Sequence, residues 1–238
     1  MNIKRIFRNK TNLVPLQGLG VLLFFLLLIP TVRAVELDTK NRNPKYVETI
    51  VGRTLKIVDK LALKNPDVAK NVLNIVANRY FKLNDIYAVR DSAVNKIKMS
   101  GLTGDAKTTA LNAAQNEKEA ALYRSHFAFP GHLSLFINES QIEEVKDGIT
   151  FGVVKVTYDA TLDMIPTLKE EEKVQILAWL KEGREFALDA ETADKKHEAF
   201  GKFKGRINNY LSARGYDLVK EREGWYIRIK EREDAKKK

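Results

Sequence analysis

Apolar residues recur every three or four positions along most of this chain, a period that predicts helices rather than strands. The series Val68, Val72, Ile75, Val76, Leu83, Ile86, Val94 and Ile97 keeps that period and predicts one long helix to about Met99. Asn65-Pro66-Asp67 starts it, with Asn as cap and Pro at the first helical position. Gly101 and Gly104 end it. An earlier helix fits Tyr46 to Leu63. Residues from Asp105 to Phe127 are alanine-rich and read as helix until Pro130-Gly131. Ser140-Gln141-Ile142-Glu143 is a capping-box pattern opening a short helix that Gly148 closes. A second such box, Thr167-Leu168-Lys169-Glu170, predicts a helix to about Leu188, and another fits Ala193 to Ala213 before Gly215.

Two stretches are ambiguous. Phe151 to Tyr158 is the least helical, with Val153, Val154, Val156 and Thr157, but one strand makes no sheet. In the segment from Asp217 to Glu233, Leu218, Trp225 and Ile229 share a helical face, while Trp225, Ile227 and Ile229 also alternate like a strand. Helix is favoured there for the same reason. The expectation is a single all-α domain of six or seven helices over residues 45–233, with a flexible arm at 35–44 and a basic tail at 234–238.

The first 34 residues follow a different pattern. Lys4, Arg5, Arg8 and Lys10 form a basic start, Leu19 to Ile29 is an apolar run, and Pro30 breaks it. Val32-Arg33-Ala34 then offers the short residues of a cleavage site, so residues 1–34 read as a secretory signal cut after Ala34. The apolar run is shorter than the ~20 residues of a membrane span. The mature chain is thus expected in the periplasm or secreted, with no membrane span.

Composition narrows this further. The net charge of +10 includes five basic residues and no acid in the signal; removing them leaves +5, from 36 basic and 31 acidic residues. That surplus is modest and does not call for nucleic acid. There is no cysteine, hence no disulfide, thiolate chemistry or Cys–metal site. His126, His132 and His197 are the only histidines, and their spacing matches no zinc motif. Neither metal nor cofactor is implied. No nucleophile elbow, phosphate loop or dinucleotide fingerprint occurs. Asp147, Asp159, Asp163 and Asp189 are available for paired-carboxylate chemistry, but sequence gives no distances, so catalytic residues stay unassigned.

Some charges point inward. At about 100° per residue, Arg79 and Arg90 fall within the stripe of Val72, Val76, Leu83 and Val94, and Arg184 between Leu177, Leu180 and Leu188. Glu117 and Arg124 share a face with Ala110, Ala113, Ala114 and Ala121. An unpaired buried arginine costs several kcal/mol, roughly, so each must pair with an acid or line a cleft. Asp91, Glu117, Asp163, Glu185 and Asp189 are candidate acids. Two readings stay open: an internal ion-pair network with snorkelling side chains, or an arginine-lined pocket for a carboxylate or sulfate. His197, Gly201, Lys204 and Asn208 flank the stripe of Phe200, Phe203, Ile207, Tyr210 and Leu211. That edge suits a ligand or a closely packed helix. Arg206 lies on the opposite flank and Asn209 points away. Trp179 and Phe186 sit opposite the main apolar face of their helix, as a sugar-stacking platform or as a second packing face.

The runs Lys146-Asp147-Gly148-Ile149-Thr150-Phe151-Gly152-Val153, Val156-Thr157-Tyr158, Ile176-Leu177-Ala178-Trp179-Leu180 with Arg184-Glu185, the stretch from Lys196 to Leu211, and Gly215-Tyr216-Asp217 together resemble the family catalogued as domain of unknown function 3826. The resemblance runs from about Tyr46 to Trp225, and the extension beyond is least expected to follow it. It implies an exported protein of glycan-degrading bacteria, described as sugar-binding, and carries no catalytic residues over. Family-like positions that coincide with the candidates above are Arg90, Asp147, Tyr158, Arg184, His197, Lys204, Arg206, Asn208 and Asn209.

The expected function is therefore carbohydrate binding accessory to glycan degradation, with uronate-containing glycans suited to inward arginines. The alternatives are a polysaccharide lyase or glycoside hydrolase, with His197 or Tyr158 and Arg184 or Arg90 in its site, and a protein-interaction module of the cell envelope.

Overall fold

A computed structural model describes residues 34–237. The expected signal segment, residues 1–33, lies outside the described residues. The described chain forms eight α-helices and no strand: α1 Pro44–Val58, α2 Pro66–Met99, α3 Gly104–Leu133, α4 Glu139–Ile149, α5 Val153–Met164, α6 Glu170–Leu188, α7 Ala193–Ala213 and α8 Leu218–Ala235. Among the described residues no helix is long and apolar enough to cross a membrane.

Caps set most boundaries. Asn43 and Asn65 each accept hydrogen bonds from two backbone N–H groups at the starts of α1 and α2, and Pro44 and Pro66 follow them. The capping box of α4 belongs to Asn138 and Gln141 rather than to Ser140 and Glu143, because Asn138 holds the extended conformation a cap requires. α6 starts likewise after Lys169 rather than Thr167, with only half of a box: the Lys169 N–H donates to Glu172 at 2.9 Å, and an ammonium side chain cannot accept the return bond.

α2 and α3 form a long antiparallel hairpin whose inner end packs on α1 and α4, while α5, α6, α7 and α8 pack on one another. Two apolar clusters result. One joins Ile57, Val72, Val76, Phe129, Leu133, Val145 and Ile149. The other joins Val154, Ile165, Ile176, Leu180, Phe200, Ile207 and Leu211. Leu188, at the end of α6, belongs to the first cluster, so α6 bridges the two.

The structure departs from the sequence expectation in four places. The eighth helix is α5, where an extended stretch had been an option. Its β-branched residues are poor helix formers, yet burying Val153 and Val154 against α6 outweighs that weak preference. Phe151 and Gly152 both take left-handed φ, of 63° and 67°, and turn the chain into it. α3 continues through Pro130 to Leu133 because Phe129 and Leu133 are buried, although Pro130 has no N–H to give the carbonyl of His126. The segment 35–44, read as a flexible arm, is held along α2 by a ladder of asparagines before α1 begins at Pro44. Asn71 and Asn74 bond Val35, Asn78 bonds Glu36 and Asp38, and Arg42 grips Asp85 with two hydrogen bonds of 2.8 Å. Finally, Glu117 and Arg124 are exposed, although Ala114 and Ala121 of the same face are buried or half-buried.

Close approach of α6 and α7 depends on Gly183. A Cβ there would sit 2.8 Å from Cδ2 of Phe203, whereas one on Gly201 would meet nothing within 4 Å. Gly183→Ala should therefore destabilise by about 1–3 kcal/mol through overpacking. Gly201→Ala should be neutral or stabilise by up to about 1 kcal/mol through helix propensity. Chemical denaturation of both variants checks this, and equal stability would refute the packing argument.

Candidate functional site

α6 shows three faces. Ile176, Leu180 and Ala187 enter the apolar cluster with α5 and α7. Arg184 turns toward α4. Glu182, Glu185, Phe186 and Asp189, at i, i+3, i+4 and i+7, line a cleft of about 1090 Å³. The far ends of the cleft are closed by α2 through Tyr87 and Arg90, and by α3 through Leu122, Tyr123, His126 and Phe127. Its remaining wall is α7, with Lys195, Glu198, Lys202, Phe203 and Arg206.

The aromatic lining is well exposed. Phe186 is 62% exposed and leans on Phe203, with ring centroids 5.7 Å apart. Tyr123 meets Phe127 edge-on at 5.0 Å, and both are exposed. The charged lining is polarised. α6 contributes only acids to the cleft, while α7, α2 and α3 supply Lys118, Lys195, Lys202, Arg90 and Arg206 among fewer acids.

Beneath the cleft, charges are linked across four helices. Arg79 of α2, 5% exposed, donates to Asp189 and to Ser125 of α3. The other oxygen of Asp189 lies 3.0 Å from Nδ1 of His126. Nε2 of His126 is 3.7 Å from Glu185, and Glu185 in turn meets Lys146 at 3.1 Å and Arg184 at 3.2 Å. Arg184, 2% exposed, donates to Asp147 at 2.7 Å and to Glu143 at 2.6 Å.

The two buried guanidinium groups differ electrostatically. Burial pulls Arg79 below the ordinary arginine value, and its ion pair with Asp189 offsets this only in part. Arg184 is also opposed by burial, but Glu143 and Asp147 together lift it above that value. Burial and then the nearby Glu191 and Asp189 push the Tyr87 phenol up to about 12, so it stays protonated and donates to the carbonyl of Asp189 at 2.9 Å. Lys196, 5% exposed, donates from Nζ to the carbonyl of Ala187 at the end of α6.

Of the residues singled out from sequence, Arg90, Arg206 and Phe186 come together at the cleft. Arg90 pairs with Asp91 and Glu191, and Arg206 with Glu182 while lying over the Phe203 ring at 4.9 Å. Arg184 and Asp147 pair with each other below it. The other positions lie elsewhere. His197 stacks on Phe151 at 5.6 Å. Tyr158 packs in the cluster around α5, and Lys204, Asn208 and Asn209 are exposed on α7. Trp179 packs edge-on against Tyr210 at 5.1 Å and does not share a platform with Phe186. Sequence reasoning missed His126, Tyr87, Tyr123 and Phe127 as cleft residues. The signal was present for His126, which continues the stripe Leu122, Phe129 and Leu133.

Residues 47–231 match the profile of a family described as Protein of unknown function (DUF3826). The chain belongs to the DUF3826 family. The match runs past Trp225 into α8, so the C-terminal helix is part of the family rather than an extension to it. It also covers every wall of the cleft. No curated protein matches the chain.

Two predictions concern the buried cations. Arg184→Ala removes the cation shared by Glu143 and Asp147, leaving Glu143 only Lys146 and Lys181, and should cost about 2–3 kcal/mol in denaturant unfolding. A loss below about 1 kcal/mol would show the pair to be peripheral. Burial, helped by Arg79, lowers the Lys196 ammonium to about 8, against an ordinary value of 10.5. Between those values the unfolded chain binds more protons at this site than the folded one, so stability rises with pH from about 8 to about 10.5. Lys196→Met should abolish that rise, worth on the order of a few kcal/mol. Unfolding of both proteins across this pH range measures it.

Proposed function

We propose that the cleft between α2, α3, α6 and α7 binds a carbohydrate, and that the protein serves glycan breakdown outside the cytoplasm as an exported binding protein. The observation that carries this reading is the exposure of Phe186, Tyr123 and Phe127 inside a largely apolar concave site that also carries charged side chains. Sugar rings present CH faces to aromatic rings and hydroxyls to charged or amide groups, and this lining offers both. The volume stands at the upper end of small-ligand sites, suiting an oligosaccharide rather than one sugar. The signal-like N-terminus and the sugar-binding description implied by the family resemblance support the same reading.

The inward arginines do not select the ligand, since Arg79 and Arg184 are engaged by acids. The cations nearer an acidic sugar are instead those on the rim, notably Lys202, with Arg206 shared with Glu182. Pairing of both inward arginines also suits an interaction module of the cell envelope, but the concave shape of the ring-bearing site favours a ligand that enters it.

Titration calorimetry of the purified protein against acidic and neutral plant and algal oligosaccharides tests the proposal. At least one class should bind saturably, and Phe186→Ala should weaken it about 10-fold or more, given stacking worth on the order of 1 kcal/mol or above. The thermal midpoint should hardly move, because the ring is mostly exposed. Absence of binding across the panel, or equal affinity of Phe186→Ala, would overturn the reading.

A further inference from the structure

His126 is the one histidine lining the cleft. Its surroundings organise it for proton transfer. Asp189 accepts at Nδ1, 3.0 Å away, and a carboxylate oxygen can only accept, so the Nδ1 proton is fixed there. Asp189 is itself anchored by Arg79 through its second oxygen, and Tyr87 bonds its backbone carbonyl. The ring therefore cannot turn without breaking a partly buried hydrogen bond. Nε2 is left on the other side without a hydrogen-bond partner among the described residues, since Glu185 at 3.7 Å is out of reach. The imidazole is partly exposed and lines the cleft.

We infer that His126 is the acid–base group of this cleft, oriented by Asp189, and that the cleft cleaves uronate-containing glycans by β-elimination. This rests on the carbohydrate reading above and deepens it. Hydrolysis by a carboxyl pair needs one carboxylic acid that gives up a proton. Here Asp189 and Glu185 are both engaged by cations, which leaves the imidazole as the proton carrier. An imidazole can instead remove the proton beside a carboxylate-bearing carbon. Nε2 takes the C5 proton of the uronate. The C–H electron pair becomes the C4–C5 double bond, and the C4–O bond breaks with its electrons on the glycosidic oxygen. The imidazolium returns the proton to that oxygen. The products are a new chain end and a 4,5-unsaturated uronate, with no oxidant or further reactant. Lys202 and Arg206 on the facing wall are placed to offset the negative charge that builds on the uronate carboxylate.

The experiment incubates the purified protein with polygalacturonate, alginate and a glucuronate polymer. It follows the ultraviolet absorbance of the unsaturated product, with binding to each polymer measured in parallel. Product should form on at least one polymer. His126→Ala should lower the rate about 10²–10⁴-fold with binding retained, and added imidazole should restore part of it. Asp189→Asn should lower kcat per folded molecule and also move the pH–rate profile, a change that mere loss of folded protein would not give. Binding without unsaturated product would overturn the inference and leave the carbohydrate reading standing. Absence of binding would overturn both. Product formed by His126→Ala at the wild-type rate would remove His126 from the chemistry.

Discussion

The fold turns on two buried arginines that cannot be left unpaired. Arg79 reaches from α2 to α3 and to the end of α6, and Arg184 reaches from α6 to α4. Breaking such a pair from one side costs about 2–3 kcal/mol, a large part of a domain's stability. The pairs therefore constrain where four helices lie relative to one another. They also join the two apolar clusters, because α2 and α4 belong to one and α6 mainly to the other. Apolar packing is non-directional; guanidinium–carboxylate pairs are directional, and here they supply the registration between the halves.

That registration explains the shape of α6. Gly183 and Arg184 are consecutive, so the helix presents its closest contact, against Phe203, beside a deeply buried charge. Its remaining face carries Glu182, Glu185, Phe186 and Asp189 into the cleft. Groups mounted on rigid helices and braced from behind hold their geometry better than groups on loops. Glu185 and Asp189 are braced by Arg184, Lys146 and Arg79, and His126 is held between them. Cleft and core are thus built from the same interactions.

Most of the helical plan was legible in the sequence, because a 3.6-residue period and Asn-Pro starts are local signals. The inward direction of Arg79 and Arg184 was legible for the same reason. Asp189 and Glu185 were among the candidate acids, but which arginine each meets was not legible, nor were Glu143 and Asp147 as partners, since Asp189 lies 110 residues from Arg79 and spacing along one helix carries nothing about another. Arg90 has the same phase as Arg79 but sits farther along α2, where the hairpin extends past the core, so it reaches the cleft rim. The alanine face of α3 misled because alanine is as compatible with a solvated helix face as with a buried one. α5 was obscured by valines whose weak β preference gives way to burial. The cleft itself needs four helices at once, and only its fragments, such as the acid and aromatic positions of α6, are visible in one dimension.

The charge distribution across the cleft floor also bears on what the cleft can take. Behind the floor stand Arg79, Arg184, Lys146 and Lys196; at its surface stand Asp189 and Glu185. The carboxylates are therefore compensated from within, and their repulsion of an incoming anion is reduced at short range. Lys196 is the most finely poised of these cations. Its own burial works against its charge, while Arg79 repels it and Asp189 attracts it. A floor compensated in this way, facing a wall that carries Lys202 and Arg206, leaves the aromatic rings to define where a sugar ring lies and the rim cations to define which substituents it carries.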